Sequence, residues 1–384
     1  MNRSQARNPN GSTSSIFDTG DALTREVLSE REFLRSIAIE RKRAERTQLP
    51  FLLVLLEPTD GGRLDECISA IGRVAGSLVY RVRETDIVGW YRTRQAMGVV
   101  FTGLEATLNQ RIVGALLKSV RSTIRQTLDH RETELVRVTH HIYPEEWNVE
   151  DSQSTADLKL YPDLKETSSR RRGHILVKRA VDVAGSATLL LLCSPVLLAI
   201  AASVKLTSKG PILFRQTRVG QYGRPFTFLK FRSMHINNDS SEHKEFVRKL
   251  IHESAGEHET DKNGEQVYKM TNDKRVTPIG KWIRRTSLDE LPQLFNVLRG
   301  DMSLVGPRPP IPYEVALYQI WHRRRVLDVK PGITGPWQIS GRSHLKFDEM
   351  VRLDLRYVSA WTLWLDLKIL LKTPAAVIRG SGAY

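Results

Sequence analysis

Asp289 and Glu290 stand side by side in Arg284-Arg285-Thr286-Ser287-Leu288-Asp289-Glu290-Leu291-Pro292-Gln293-Leu294-Phe295-Asn296. Two adjacent carboxylates can share a divalent cation, and one of them can attack an electrophilic centre. Arg284 and Arg285 just ahead can hold an anionic substrate. The phrase has a plainer reading as a capping box, with Ser287 as the cap and Glu290 in the third helical position. Pro292 argues for a later register. Its missing amide is tolerated only in a first turn, so a helix is expected to begin near Asp289, with both carboxylates at its positive end.

Further along, Gly300-Asp301-Met302-Ser303-Leu304-Val305-Gly306-Pro307-Arg308-Pro309-Pro310 sets Arg308 between prolines. They fix the backbone and lower the ordering cost of offering a guanidinium to phosphate. Lys330-Pro331-Gly332-Ile333-Thr334-Gly335-Pro336-Trp337-Gln338, followed by Gly341-Arg342, is a second turn-rich basic stretch, with Gln338 and Arg342 as candidate substrate contacts. Upstream, Phe228-Leu229-Lys230-Phe231-Arg232 places Lys230 and Arg232 two apart, on one face of a strand. Taken singly, these stretches read as a loop, a solvated edge or an ion pair; together they set cations on stiff backbone. His243, His252 and His258 match no compact ligand spacing and read as part of a solvated insertion, in which Phe246, Val247, Leu250 and Ile251 mark one amphipathic helix.

The elements that must carry these groups begin with an anchor. The twenty-two residues from Val183 to Val204 carry no charge and break at Ser194-Pro195. A straight helix of that length would rise about 33 Å, enough to span a bilayer. Pro195 removes a helical hydrogen bond and predicts a kink near the midpoint. Basic residues flank both ends: Arg170, Arg171, Arg172, Lys178 and Arg179 before, Lys205, Lys209, Arg215 and Arg218 after. Such flanks stay on the cytoplasmic side. The segment therefore reads as a re-entrant helix pair that dips into one leaflet and returns, each half covering roughly 16 Å. Ser194 is expected to bond a carbonyl of the preceding turn and so relieve the polar backbone at the break. Beyond it, Pro211 to Met234 reads as paired strands about a Gly220-Gln221-Tyr222-Gly223 turn. Trp361, Trp364, Leu365, Leu367, Leu370 and Leu371 suit either an interfacial helix or the core.

The 384 residues leave room for two or three domains. A net charge of +15, from 58 basic and 43 acidic side chains, suits anionic lipid or nucleotide phosphate. Nucleic acid is set aside, because no recognisable binding module or aromatic-basic stripe accompanies the charge. Cys67 and Cys193 are the only cysteines, which excludes a disulfide framework. Residues 1–25 read as a disordered N-terminus without a secretory signal, 26–147 as one α/β domain, 148–173 as a polar linker, and 174–384 as the part that bears the motifs. Within 26–147 the pattern alternates helix and strand, with strands at 51–56, 87–91, 98–101 and 135–143.

Arg83-Glu84-Thr85-Asp86-Ile87-Val88-Gly89-Trp90-Tyr91, followed by a turn and Gly98-Val99-Val100-Phe101, resembles the GGDEF (diguanylate cyclase) fold, a ferredoxin-like α/β arrangement. Where that family carries its signature, this chain reads Arg92-Thr93-Arg94-Gln95-Ala96. The glycines and the metal-binding carboxylates are gone, so the resemblance implies a catalytically silent domain.

From about Lys178 onward the chain resembles the bacterial sugar transferases, the monotopic phosphoglycosyl transferases. Five motifs occur in order: the Ser-Pro-broken apolar helix, Lys-Phe-Arg-Ser-Met, Ser-Leu-Asp-Glu-Leu-Pro-Gln, Gly-Pro-Arg-Pro and Lys-Pro-Gly-Ile-Thr-Gly. The resemblance implies a mostly helical domain with a small β-hairpin, monotopic on the cytoplasmic face of the bacterial inner membrane. It implies transfer of a sugar-1-phosphate from a nucleoside diphosphate sugar, taken as a UDP-sugar, to polyprenyl (undecaprenyl) phosphate, with Mg²⁺ as cofactor. Asp289 is then the nucleophile and forms a covalent intermediate, and Glu290 with Asp289 holds the metal. Lys230, Arg232, Arg284, Arg285, Arg308, Gln338 and Arg342 become substrate contacts. A second copy of the chain is a further candidate partner. Trp337 departs from many relatives and is expected to bear on sugar choice. The competing reading is a membrane-anchored nucleotide sensor or scaffold, which the intact carboxylate pair opposes.

Overall fold

A computed structural model describes residues 26–60, 63–105, 109–145, 156–164, 171–235, 241–252, 259–260, 266–267, 275–341 and 345–379. The chain divides into two units, one of residues 1–33, 54–100 and 110–139, the other of 34–53, 101–109 and 140–384.

The N-terminal elements lie close to where periodicity predicts them: α1 (Glu30–Thr47), β1 (Phe51–Pro58), α2 (Leu64–Val79), β2 (Ile87–Arg92), β3 (Ala96–Phe101), α3 (Gln110–Thr127) and β4 (Val136–Tyr143). The helix α4 (His130–Glu134) is too short to show a period; Asp129 and Glu132 close a full capping box at its start. The strands form one sheet in the order β2-β3-β1-β4, with β1 buried from Phe51 to Leu56. β2 and β3 pair antiparallel, Gly89 opposite Gly98.

The segment expected to be a polar linker is partly interior. Ala156, Leu160, Tyr161 and Leu164 are buried. Asp163 accepts two hydrogen bonds of 2.7 Å from Arg41, within the second unit. The sparse apolar residues of this stretch carry no period long enough to betray that burial.

The apolar segment folds as two helices, α5 (Arg172–Leu192) and α6 (Ser194–Thr207), bent by 64°. No single helix among the described residues is long and apolar enough to cross a membrane. Pro195 lies in the first turn of α6, so the expected mid-helix kink is a stop and restart around Cys193. As expected, Ser194 Oγ donates to the Leu191 carbonyl at 2.8 Å. Leu191, Leu192 and Leu198 are 75%, 70% and 72% exposed.

α5 begins well before the uncharged stretch, and Lys178 and Arg179 are not free flanks. Lys178 Nζ donates to Val305 O (3.0 Å) and to Asp366 (2.6 Å). Arg179 donates to the carbonyls of Val297 and Leu298 at 2.6 and 2.8 Å. Those carbonyls close helix α9 (Gln293–Arg299), where a cation suits the helix dipole. Gly300 follows at φ 96°, a left-handed helix stop that favours glycine.

After α6, the expected hairpin is present: β5 (Leu213–Val219) pairs antiparallel with β6 (Pro225–Phe231). The amphipathic helix of the insertion is α7 (Ser241–His252), with Val247 and Ile251 buried; His258 lies outside the described residues. Helix α8 (Pro278–Arg285) is capped by Thr277, whose Oγ1 accepts from Gly280 N at 3.0 Å. Strands β7 (Ser303–Val305) and β8 (Gly332–Thr334) pair in parallel. Short helices α10 (Pro312–Ala316), α11 (Ile320–Arg323) and α12 (Pro336–Ser340) lead to the closing pair α13 (Phe347–Ala360) and α14 (Leu363–Arg379). The core draws Phe228 from the hairpin, Leu294 and Val297 from α9, Leu304 and Val305 from β7, Tyr357 from α13 and Trp361 from the turn between α13 and α14. Trp361 thus packs inside, whereas Trp364 and Leu371 are exposed.

Candidate active site

Ser287, at φ 56°, turns the chain sharply after α8. Leu288–Glu290 then forms a 3₁₀ turn, with Glu290 N bonded to Ser287 O and Leu291 N to Leu288 O, both at 3.3 Å. The carboxylates therefore precede the helix instead of opening it. Pro292 has no N–H to continue the ladder and serves as the cap of α9, so regular helix begins only after it.

Asp289 is buried, and among the described residues its carboxylate accepts no hydrogen bond. Burial pushes its pKa up to about 6; Glu290 adds to the rise, while Lys230, Arg284 and Arg308 oppose it. Lys230 answers from β6, where it pairs with Phe214 and sits 5.2 Å over that ring. Burial pushes its ammonium down to about 8 against the pull of Asp289. The hairpin is registered to the carboxylate turn by the fully buried Asn296. Its Oδ1 accepts from Leu229 N (3.1 Å) and its Nδ2 donates to Thr227 O (2.7 Å).

Arg308 reaches Glu290 from the proline-flanked loop, donating across 3.4 Å. Its loop is held by backbone. Gly306 N donates to Thr334 O (2.9 Å) and Gly332 N to Pro307 O (2.8 Å), so the two Gly/Pro-rich motifs are joined. A Cβ on Gly332 would stand 2.0 Å from Gly306 N, and one on Gly306 2.3 Å from Lys330 O. Only glycine permits that approach.

One open cavity of about 1920 Å³ is lined by Asp289, Glu290, Lys230, Arg232, Arg284, Arg308 and Gln338, and also by Ser194 at the helix break. Arg284 turns inward, and its buried Nη1 has no hydrogen-bond partner among the described residues. Arg285 is exposed and takes no part in the lining. Arg232 shares the cavity with Lys230, but its Nη2 is spent on Ser208 O and Oγ at 2.8 and 2.6 Å, tying down the end of α6. Trp337 also lines the cavity, with a buried indole N–H that meets no acceptor among the described residues. Arg342 lies outside the described residues.

Residues that sequence reasoning passed over support this arrangement. Asp182 of α5 is buried and accepts hydrogen bonds from Ser303 Oγ (3.0 Å) and Leu304 N (2.9 Å), fixing β7 to the anchor. Its one signal was a carboxylate at the edge of an apolar helix, where solvation would be poor. Among the described residues no group of three or more His, Cys, Asp or Glu could enclose a metal. The pair Asp289 and Glu290 nevertheless offers hard oxygens of the kind Mg²⁺ accepts when substrate phosphate and water complete its shell.

A model of the family described as "Bacterial sugar transferase" matches residues 173–380. Over 211 residues the chain is 44% identical to "Galactosyl transferase CpsE" of Streptococcus agalactiae serotype III, a match covering 55% of this chain and 44% of that protein. It is 41% identical to "Undecaprenyl-phosphate galactose phosphotransferase" of Salmonella typhimurium, covering 59% of this chain and 44% of the relative. It is 43% identical to "UDP-glucose:undecaprenyl-phosphate glucose-1-phosphate transferase" of Escherichia coli, covering 52% and 39%. The chain thus spans less than half the length of these curated relatives. A diguanylate cyclase (DGC) protein from Thermotoga maritima aligns with 32% of this chain and 85% of its own, at 17% identity and a TM-score of 0.26, too low to carry an argument about the N-terminal fold.

Proposed function

The chain belongs to the bacterial sugar transferase family, and from that premise we propose that it moves a sugar-1-phosphate from a UDP-sugar to undecaprenyl phosphate through an aspartyl intermediate, as a first step of polysaccharide synthesis. The reading is supported by relatives whose names carry galactose or glucose transfer to that lipid. The observation that carries it is a buried Asp289, unbonded among the described residues, in one cavity with Lys230, Arg284 and Arg308 that also reaches the helix break at Ser194.

A carboxylate is a weak nucleophile and a diphosphate repels it, so rate must come from neutralisation and position. One oxygen of Asp289 attacks the phosphorus that bears the sugar. An Asp289–phosphorus bond forms, the bridging phosphorus–oxygen bond breaks, and the nucleoside monophosphate leaves with that bond's electron pair. An oxygen of the lipid phosphate then attacks the same phosphorus, and Asp289 is released as a carboxylate. Lys230 and Arg284, which form no ion pair among the described residues, approach the phosphates. Arg308, held stiff by its loop, grips a phosphate and keeps Glu290 oriented. Glu290 and Asp289 are the residues that would hold Mg²⁺, which when bound supplies positive charge to the diphosphate.

In this reading α5 and α6 dip into one leaflet of the inner membrane with both ends on the cytoplasmic side. The 64° bend and the exposed leucines around it support that placement. The N-terminal sheet is taken as a degenerate GGDEF-like domain without turnover, supported by the absence of glycine and carboxylate from residues 92–96. The test is mass spectrometry of the full chain incubated with UDP-galactose or UDP-glucose and Mg²⁺, without lipid. A sugar-phosphate adduct on Asp289 is expected. Active protein that never carries an adduct, and whose kinetics require both substrates bound together, would overturn the two-step route.

A further inference from the structure

Arg218 takes no part in the transfer steps proposed above. Its sequence position places it among the basic flanks of the apolar segment, yet it is only 6% exposed and lines the cavity. The β5–β6 register sets Phe214 opposite Lys230, Gln216 opposite Phe228 and Arg218 opposite Phe226, so Arg218 and Lys230 stand on one face of the hairpin. Their backbone positions are roughly 13 Å apart at about 3.4 Å per residue. The Leu213–Phe231 end packs on Ile200 and Val204 of α6, so Arg218 belongs to the end away from the anchor.

The guanidinium is fixed in place. Its Nη1 donates to Pro309 O at 2.7 Å, its Nε to Gln216 Oε1 at 3.0 Å, and it stacks 5.0 Å over the Phe228 ring. All three partners are neutral. Among the described residues no carboxylate forms an ion pair with it, and Glu314 acts on it only through space. A buried charge without a countercharge in contact is costly, and it is tolerable where an anion docks. Lys230 serves the Asp289 end of the face. The lipid arrives beside Ser194, Leu197 and Leu198, which line the cavity on the anchor side.

We propose that Arg218 binds the phosphate of the departing nucleoside monophosphate, the half of the donor that Asp289 does not attack. This rests on the transfer reaction proposed above. When the bridging bond breaks, its electron pair stays on the leaving phosphate, and the new negative charge falls beside Arg218. Tyr313, hydrogen-bonded to His243 at 2.6 Å, lines the same end of the cavity and offers an aromatic surface to the nucleoside.

The experiment compares the full chain with Arg218→Gln and Arg218→Lys in nanodiscs containing undecaprenyl phosphate. It reads product inhibition by UMP, the KM for the UDP-sugar and the KM for the lipid. Arg218→Gln is expected to weaken UMP inhibition by roughly tenfold or more and to raise the donor KM in step, with the lipid KM unchanged. Arg218→Lys, which keeps the charge and loses the fork, should lose less. Where Arg218→Gln does not fold, the same selective loss is required of Arg218→Lys. Wild-type UMP inhibition in the folded variants, or an equal rise in both KM values from a collapsed Pro309 loop, overturns the assignment. A wild-type chain that transfers no sugar phosphate from any UDP-sugar sinks the reaction instead, which keeps the two failures apart.

Discussion

Arg308 and Glu290 meet at 3.4 Å in the lining of the cavity, both partly exposed, so the pair orients more than it stabilises. Arg308→Lys keeps the charge and loses the planar fork. Its kcat/KM should fall about 100-fold with melting temperature nearly unchanged. Wild-type kinetics from this variant would show that the arginine is an ordinary rim residue.

Asp289→Asn keeps shape and removes the attacking charge. Turnover should drop at least about a thousandfold while UDP-sugar binding, read by calorimetry, holds or tightens, because a neutral amide no longer repels the diphosphate. Loss of binding together with turnover would mark Asp289 as a structural group.

Lys178→Met should destabilise the second unit. Asp366 keeps hydrogen bonds from Tyr357 (2.6 Å) and Trp361 (3.1 Å) but loses the one cation paired with it among the described residues, in a nearly buried setting. The cost should be about 2–3 kcal/mol, somewhat below that of breaking a fully buried pair. Denaturation in detergent measures it, and a shift near zero contradicts the role given to this bond.

Cysteines placed at Arg172 and Lys209 should both label from the cytoplasmic side, since they bracket the bent pair. Labelling from opposite faces would sink the re-entrant placement. Pro195→Leu restores the missing amide and should move part of the population toward a full span.

What the sequence disclosed follows from which signals are local. Period and punctuation exposed the helix break, the Ser194 hydrogen bond and the β5–β6 hairpin. Charge misled wherever a basic residue was spent inside. Lys178, Arg179 and Arg218 look like membrane flanks, yet each meets a backbone carbonyl distant in sequence. Arg284 and Arg285 are indistinguishable as letters, and only the rotation of α8 decides that one faces the cavity and the other water. The start of α9 was misplaced because proline marks a boundary without saying which side of it is helical.

Gly306 and Gly332 touch backbone to backbone, with no side chain between their strands. Two loops far apart in the chain can then breathe only together. The amides of Ser303, Gly306 and Gly332, bonded to Pro331, Thr334 and Pro307, should exchange with deuterium as one slow cooperative group while the exposed residues around Lys281 exchange early. A library of variants would do better to leave this seam intact and vary the cavity wall at Trp337.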